Sequence, residues 1–223
     1  MGNTLVNIPA SQTQQLKSFG LTHFQYQDGD HFGELLALVS LAPIFIIVAE
    51  TTIVFSRREI TGILLLCGQL LNELFNLVLK LAICEPRPHE HLGDGYGMPS
   101  SHSQFMGFFA VYVLMYFESQ ITTNVVQKRC VQIGAIVLSV LVVVSRVYLG
   151  YHTLRQVLAG VGVGVVAGIA WYQFVELVRR TGILDYALRS GICHWLLIRD
   201  SRNVTDIALV EYNLSMNQKL KTL

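Results

Sequence analysis

Three short segments of the chain carry side chains that are suited to phosphate chemistry. The segments are Lys80 with Arg87-Pro88, Pro99-Ser100-Ser101-His102, and Ser145-Arg146 with His152. An arginine guanidinium can bind two phosphate oxygens at once, and a helix that begins at the serines would add backbone N–H donors. One imidazole can attack phosphorus while a second protonates the departing oxygen. The pattern predicts a site that binds and cleaves a phosphate or a diphosphate.

The composition of the chain is that of a membrane protein. Of its 223 residues, 52% are hydrophobic and 14% are charged, and the mean hydropathy is +0.47. Sixteen Lys and Arg residues nearly balance fifteen Asp and Glu residues and are spread along the chain, which argues against a nucleic-acid partner. The four cysteines show no CxxC spacing, so neither a zinc cluster nor a disulfide framework is expected.

Apolar stretches predict an all-α bundle of about five membrane-spanning helices. The predicted spans cover residues 35–55, 60–83, 100–119, 131–148 and 153–178. Gly160, Gly164 and Gly168 recur every four residues in the last span, a spacing that predicts close approach of a neighbouring helix. Residues 182–198 are apolar but contain charges, which favours a helix lying in the membrane interface and leaves a sixth span as the alternative. The predicted parts are therefore a polar segment 1–30, a membrane domain 31–180, and an interfacial helix with its tail, 181–223.

Basic residues predict the orientation of the bundle. They cluster in the connections after spans one and three and after span five: Arg57, Arg58, Lys128, Arg129, Arg179 and Arg180. By the positive-inside rule this side is cytosolic. The first thirty residues and the three phosphate-binding segments then face the lumen or the exterior.

Polar residues on the second span predict a face turned away from lipid. Asn72, Glu73, Asn76 and Lys80 recur at intervals of three and four residues, so we expect them to line the protein interior or a wet cavity. The first three are consistent with contacts between helices or with the site itself. Lys80 is assigned to the site because the chain continues directly into Arg87-Pro88.

The stretch from Lys80 to Gln156 resembles the lipid phosphate phosphatase superfamily, the type 2 phosphatidate phosphatases. The three motifs of that superfamily read KxxxxxxRP, PSGH and SRxxxxxHxxxD. This chain has Ser101 in place of the usual Gly and Gln156 in place of the usual Asp. With the surrounding residues GYGMPSSHSQFM and SRVYL, these two departures are similar to the dolichyl-diphosphatase branch.

The resemblance implies a role for each matching residue. His152 is expected to be the nucleophile that forms a phosphohistidine. His102 is expected to protonate the leaving polyprenyl phosphate and then to activate water. The residues expected to hold the phosphate oxygens are Lys80, Arg87, Ser100, Ser101 and Arg146. Gln156 lies one helical turn after His152 and is expected to orient its ring, although it cannot stabilise an imidazolium as a carboxylate would.

The resemblance also implies a function. The expected protein is an enzyme of the endoplasmic reticulum membrane that hydrolyses dolichyl diphosphate to dolichyl phosphate and phosphate at the lumenal face. It would recycle the lipid carrier of protein N-glycosylation, with membrane lipid around it and without a metal or cofactor. The alternatives are a phosphatase of another lipid phosphate, such as a sphingoid phosphate or phosphatidate, and a non-catalytic lipid-binding scaffold.

Other polar residues suggest weaker hypotheses. His89 and His91 form a possible metal pair, and Asp28 and Asp30 have the spacing of acidic residues that hold magnesium on diphosphates. Solvated loop residues and a polar tail are the simpler interpretations of these pairs.

Overall fold

Helices dominate the computed structural model, which describes residues 16–18, 25–27, 29–89, 95–119, 125–202, 204 and 207–221. Two short strands, β1 (Leu16–Ser18) and β2 (Gln25–Gln27), form an antiparallel pair. The helices are α1 (His31–Val39), α2 (Ala42–Arg57), α3 (Ile60–Ile83), α4 (Ser101–Ser119), α5 (Val125–Tyr148), α6 (Leu154–Arg180), α7 (Ile183–Leu188), α8 (Gly191–Trp195) and α9 (Ile207–Lys221). The predicted helical membrane bundle is confirmed.

Within the described residues, four stretches are long and apolar enough to cross a membrane: α1 with α2, α3, α5 and α6. The remaining predicted span, residues 100–119, corresponds to α4, which is less apolar because its first turns are polar. This helix packs against α3, α5 and α6 and lies at the centre of the bundle. Its side chains from Ser103 to Phe108 are buried. The last two residues of the predicted motif Pro99-Ser100-Ser101-His102 therefore lie at the start of this central helix.

The first predicted span is divided into two helices. Helix α1 ends before Ser40, and Pro43 lies in the first turn of α2, where the missing N–H costs no hydrogen bond. The Ser40 hydroxyl hydrogen-bonds the Ser145 hydroxyl at 2.8 Å. Helix α1 accordingly packs on α5, whereas α2 packs on α3. The break ties the first helix to one of the predicted motifs.

The glycines of α6 allow α4 to approach closely, as their spacing predicts. A Cβ atom at Gly160 would lie 2.6 Å from the Ser100 carbonyl oxygen. A Cβ atom at Gly164 would collide with the carbonyl oxygen of Gln104, and one at Gly168 would lie 3.0 Å from that of Phe108. Because α4 packs backbone to backbone against α6, the start of α4 is held beside the start of α6.

Polar side chains on α3 pair with α4. Gln69 donates to the Phe105 carbonyl at 3.1 Å, Gln104 donates to the Asn72 side chain at 2.9 Å, and Asn76 donates to the Gln104 side chain at 2.8 Å. Asn72 and Asn76 therefore make contacts between helices and lie inside the bundle. Glu73 is exposed, unlike Asn72 and Asn76, and its carboxylate lies within electrostatic reach of Lys80 seven residues further along α3. That Glu73 lines the interior or a wet cavity stays a prediction.

The C-terminal region folds back onto the end of the bundle where α6 ends. Residues 182–198 form two short helices rather than one, because Ser190 ends the first stretch and caps α8. Arg199 then pairs with Glu59 at 2.8 Å, and Arg179 forms an ion pair with Asp200. The segment thus begins and ends at the same end of the bundle and does not form a sixth span. Its placement at the membrane interface stays a prediction.

Candidate active site

Helix ends bring the three predicted segments to the end of the bundle opposite the C-terminal ion pairs. Lys80 lies in the last turn of α3, and Ser101 and His102 lie in the first turn of α4. Arg146 lies in the last turn of α5, and His152 lies just before α6. Neighbouring helices of alternating direction must place these ends together, so residues more than sixty positions apart meet.

Backbone hydrogen bonds connect the segments to one another. The Ser100 N–H donates to the Gln156 carbonyl at 3.1 Å, and the His152 N–H donates to the Arg146 carbonyl at 3.1 Å. The segment before α4 is joined to the segment after α3 by a 2.7 Å bond from the Gly97 N–H to the Glu85 carbonyl. The site is therefore held by main-chain contacts and does not depend on side chains alone.

The site has a buried floor and a more open mouth. Ser100, Arg146, His152 and Gln156 are between 0% and 4% exposed. The other predicted site residues are partly exposed: Lys80, Arg87, Ser101 and His102. All three cations lie within electrostatic reach of both histidines. An anionic group that enters from this end would meet the cations and the histidines together.

The hydrogen bonds of Gln156 determine the protonation of His152. Gln156 Oε1 accepts from the Thr153 N–H at 3.3 Å, and Nε2 donates to the Pro86 carbonyl at 2.8 Å and to the Glu85 carboxylate at 2.9 Å, so these three contacts together favour one orientation of the amide. His152 Nδ1 lies 3.2 Å from Oε1, which can only accept. The ring proton is therefore on Nδ1, and the lone pair is on Nε2.

The environment of His152 also keeps its ring neutral. Burial, followed by the nearby guanidinium groups of Arg146 and Arg87, lowers the pKa of His152 to about 3. An imidazole with a lowered pKa loses its proton at a lower pH. The His152 ring is therefore neutral around pH 7 when no phosphate is bound. A neutral imidazole with its lone pair on Nε2 is competent for nucleophilic attack.

The guanidinium of Arg146 is held by an aromatic ring. Its Cζ lies 4.1 Å above the centre of the Tyr151 ring, and the Tyr151 hydroxyl accepts from the Gln25 N–H at 2.9 Å. Stacking of this kind suits the planar guanidinium. The strand β2 thus reaches the site through Tyr151, a contact that could not be predicted from the sequence.

Comparison with known proteins identifies the family. Residues 61–180 match the PAP2 superfamily. The chain belongs to the PAP2 superfamily. Dolichyldiphosphatase 1 of Homo sapiens is 39% identical over 206 residues, which cover 87% of this chain and 86% of that protein. Dolichyldiphosphatase of Saccharomyces cerevisiae is 36% identical over 203 residues, covering 86% and 84%.

Two further relatives carry other names. Lipid phosphate phosphatase gamma of Arabidopsis thaliana is 34% identical over 215 residues, covering 90% of this chain and 91% of that protein. The solved structure of a PAP2-type phosphatidylglycerolphosphate phosphatase from Bacillus subtilis superposes with a TM-score of 0.57 at 27% identity, covering 67% of this chain and 79% of the other. The family membership and the relatives make this protein a phosphohydrolase. The roles of individual side chains remain proposals.

Sequence reasoning missed one acidic residue of this PAP2 site. Glu85 accepts a hydrogen bond from Gln156 Nε2 at 2.9 Å and another from Arg155 at 2.6 Å. The hydrogen bonds from Gln156 and then from Arg155 lower the pKa of the Glu85 carboxyl, so it is ionised around pH 7. Its position directly before Pro86-Arg87 was the available signal, but its partners lie 70 and 71 residues away.

The weaker hypotheses fall outside this cluster. Asp30 caps α1 by accepting from the Gly33 N–H at 2.9 Å, and it also accepts from the Tyr148 hydroxyl at 3.1 Å. His89 is exposed, and Asp28 and His91 lie outside the described residues. In the part of the chain that the structure describes, no group of three or more His, Cys, Asp or Glu side chains is placed to hold a metal ion.

Proposed function

We propose that this PAP2 enzyme hydrolyses dolichyl diphosphate to dolichyl phosphate and phosphate through a phosphohistidine at His152. The observation that carries the mechanism is the placement of His152 near three cations with its Nδ1 3.2 Å from Gln156 Oε1, which favours a neutral ring protonated on Nδ1. The substrate follows from relatives named as dolichyldiphosphatases that are 36–39% identical over most of both chains.

In the first step, His152 Nε2 attacks the terminal phosphorus. The bond from phosphorus to the bridging oxygen breaks, and His102, which is protonated once the negatively charged diphosphate lies beside it, gives its proton to that oxygen as dolichyl phosphate departs. The phosphorylated ring carries a positive charge and keeps its Nδ1 proton on Gln156. Negative charge on the transferring group is stabilised by Lys80, Arg87, Arg146, Ser100, Ser101 and the first N–H groups of α4.

In the second step, water replaces the imidazole. His102, which has lost its proton, accepts one from the attacking water, and the phosphorus–nitrogen bond to His152 breaks. Phosphate is released, and both histidines return to their starting protonation states. In this cycle the two histidines carry out the proton transfers, and the cations, serines and N–H groups of the site stabilise the charge, so the proposed reaction requires no metal.

The lipid tail of the substrate fits the surroundings of the site. Large apolar side chains are exposed on the outer faces of α3, α5 and α6, where bilayer lipid would cover them. A head group can then enter the cationic end while the polyprenyl chain stays in the bilayer. The second candidate is a lipid phosphate monoester, because one relative is named a lipid phosphate phosphatase and another a phosphatidylglycerolphosphate phosphatase.

A substrate panel tests the proposed function. The purified protein, supplied with dolichyl diphosphate, dolichyl phosphate, phosphatidate and a sphingoid phosphate in EDTA, is expected to release phosphate fastest from dolichyl diphosphate. Vanadate, which adopts the five-coordinate geometry of the transferring group, is expected to inhibit. Faster release from phosphatidate would favour the second candidate, whereas activity that needs added magnesium would contradict the metal-free mechanism.

We place the site in the lumen of the endoplasmic reticulum. The support is the separation of the two ends of the bundle: the site lies at one end, and the arginine-rich ion pairs of Arg57, Arg179 and Arg202 lie at the other. The positive-inside rule makes the arginine-rich end cytosolic. A lumenal site would return dolichyl phosphate to the carrier pool of protein N-glycosylation.

Cysteine labelling tests this orientation. Tyr96 and Val204 are exposed at the two ends, 39% and 41% respectively, and each is replaced by cysteine in a variant whose four native cysteines are serine. In sealed microsomes an impermeant maleimide is expected to label Val204→Cys at once and Tyr96→Cys only after permeabilisation. The reverse pattern would place the site in the cytosol and leave the proposed chemistry intact.

A further inference from the structure

Glu85 lies directly after the end of α3, and its side chain contacts the start of α6. Cys84 adopts a left-handed conformation that ends α3, with φ of 53°, and the Glu85 carbonyl accepts from Gly97 at 2.7 Å. The backbone of Glu85 is therefore held in place independently of its carboxylate. This carboxylate is only 21% exposed, and the mechanism described above does not use it.

Each carboxylate oxygen of Glu85 has a donor on α6. Oε1 accepts from Gln156 Nε2 at 2.9 Å, and Oε2 accepts from Arg155 at 2.6 Å. The same Gln156 nitrogen donates to the Pro86 carbonyl at 2.8 Å. The nitrogen of the amide thus faces one negatively charged and one neutral acceptor, both from the segment after α3.

These contacts select one of the two orientations of the Gln156 amide. If the amide rotated by 180°, its oxygen would face the Glu85 carboxylate and the Pro86 carbonyl, and its nitrogen would face the Thr153 N–H. Three unfavourable contacts would replace three hydrogen bonds. In the observed orientation the amide oxygen faces His152 Nδ1 at 3.2 Å, and the ring must donate.

We infer that Glu85 is a positioning residue, which acts through the Gln156 amide to hold the His152 proton on Nδ1 and the lone pair on Nε2. This inference rests on the proposed role of His152 as nucleophile. The chain of hydrogen bonds runs from carboxylate to amide to imidazole. When the ring becomes positive on taking the phosphoryl group, the carboxylate two hydrogen bonds away stabilises that charge. Glu85 and Gln156 together thus perform the task that a single carboxylate at position 156 would perform by direct contact.

An exchange of the two side chains tests the inference. Glu85→Gln is expected to lower kcat by roughly 10- to 100-fold with little change in KM, the usual effect of losing a partner of this kind. Gln156→Glu alone is expected to be at least as impaired, because two carboxylates would face each other at the position of a 2.9 Å hydrogen bond. The double variant places a carboxylate at position 156, in contact with His152, and an amide at position 85. Its kcat is expected to recover to within roughly tenfold of wild type.

Arg155→Gln is the matched control. It removes the other donor to Glu85, but the Arg155 side chain is 74% exposed and the bond from Gln156 remains. Its kcat is expected to stay within about twofold of wild type, since exposed ion pairs contribute little. A wild-type kcat in Glu85→Gln would overturn the inference. So would a double variant whose kcat is no higher than that of the less active single variant.

A second readout does not depend on the substrate. Nitrogen-15 NMR of histidine-labelled protein reports which ring nitrogen carries the proton, and His152→Ala identifies the signal. Wild type is expected to show the Nδ1–H form, and Glu85→Gln a mixture of both forms. An unchanged tautomer in Glu85→Gln would overturn the inference even if the preferred substrate is a different lipid phosphate. Absence of dolichyl diphosphate hydrolysis in wild type would instead contradict the proposed function.

Discussion

Replacing His152 by alanine is expected to abolish phosphate release, with a loss on the order of 10⁴-fold or more in kcat. The physical reason is that the buried, neutral imidazole supplies the lone pair that attacks phosphorus, and alanine has no group that can take the phosphoryl. His102→Ala removes a proton donor and acceptor, for which a loss of roughly 10²- to 10⁴-fold is expected. The measurement is phosphate release from dolichyl diphosphate by each purified variant.

His194→Ala provides the control for both variants. His194 is exposed in α8, at the end of the bundle opposite the site, and it undergoes the same change of side chain. Its activity is expected to match wild type. Turnover in His152→Ala within tenfold of wild type would remove the nucleophile assignment, whatever the result for His102.

Arg146→Lys is expected to lower kcat by roughly 10- to 100-fold although the charge is kept, and Arg146→Ala by roughly 10²- to 10³-fold. Arg146 is 2% exposed, and its guanidinium lies 4.1 Å above the ring of Tyr151. A guanidinium has parallel donors that can bind two oxygens of one phosphate. A lysine ammonium provides neither the flat face for stacking nor two parallel hydrogen bonds to one phosphate. The kinetics of both variants are compared with those of wild type under saturating substrate.

Arg180→Lys makes the same exchange at the exposed end of α6, far from the site, and is expected to behave as wild type. Wild-type kcat and KM in Arg146→Lys would show that this cation acts by charge alone. The stacking on Tyr151 would then serve stability rather than catalysis.

Local sequence was sufficient to predict most helices and the residues brought together in the site. Long apolar runs require helices in a bilayer, since only an internally hydrogen-bonded backbone is tolerated there. The ionisable residues of the site could be recognised in the sequence because charged and imidazole side chains are costly to place in lipid and are therefore usually functional there. These residues are Lys80, Arg87, His102, Arg146 and His152. Alternation of helix direction then placed them at one end.

Features that depend on distant partners were not predictable. The break at Ser40 is accompanied by a hydrogen bond to Ser145, 105 residues later, and apolar residues continue on both sides of it. The return of the C-terminal region depends on Arg199 meeting Glu59, 140 residues earlier.

Gln156 shows the same limit at the site itself. Its contact with His152 follows from helical spacing, whereas its contact with Glu85 requires the end of α3 to meet the start of α6. Thr153 and Gln156 also form a capping box at the start of α6, which fixes the backbone from which the Gln156 side chain extends.

Trapping the covalent intermediate tests the central proposal most directly. Wild type and His102→Ala are mixed with dolichyl diphosphate labelled in its terminal phosphate and quenched in alkali, in which phosphohistidine survives. In wild type the label is expected on the peptide that contains His152. It is expected to persist longer in His102→Ala, because water activation is slowed, and to be absent from His152→Ala. Turnover by wild type with no label on the chain, or label on a different residue, would contradict the phosphohistidine mechanism.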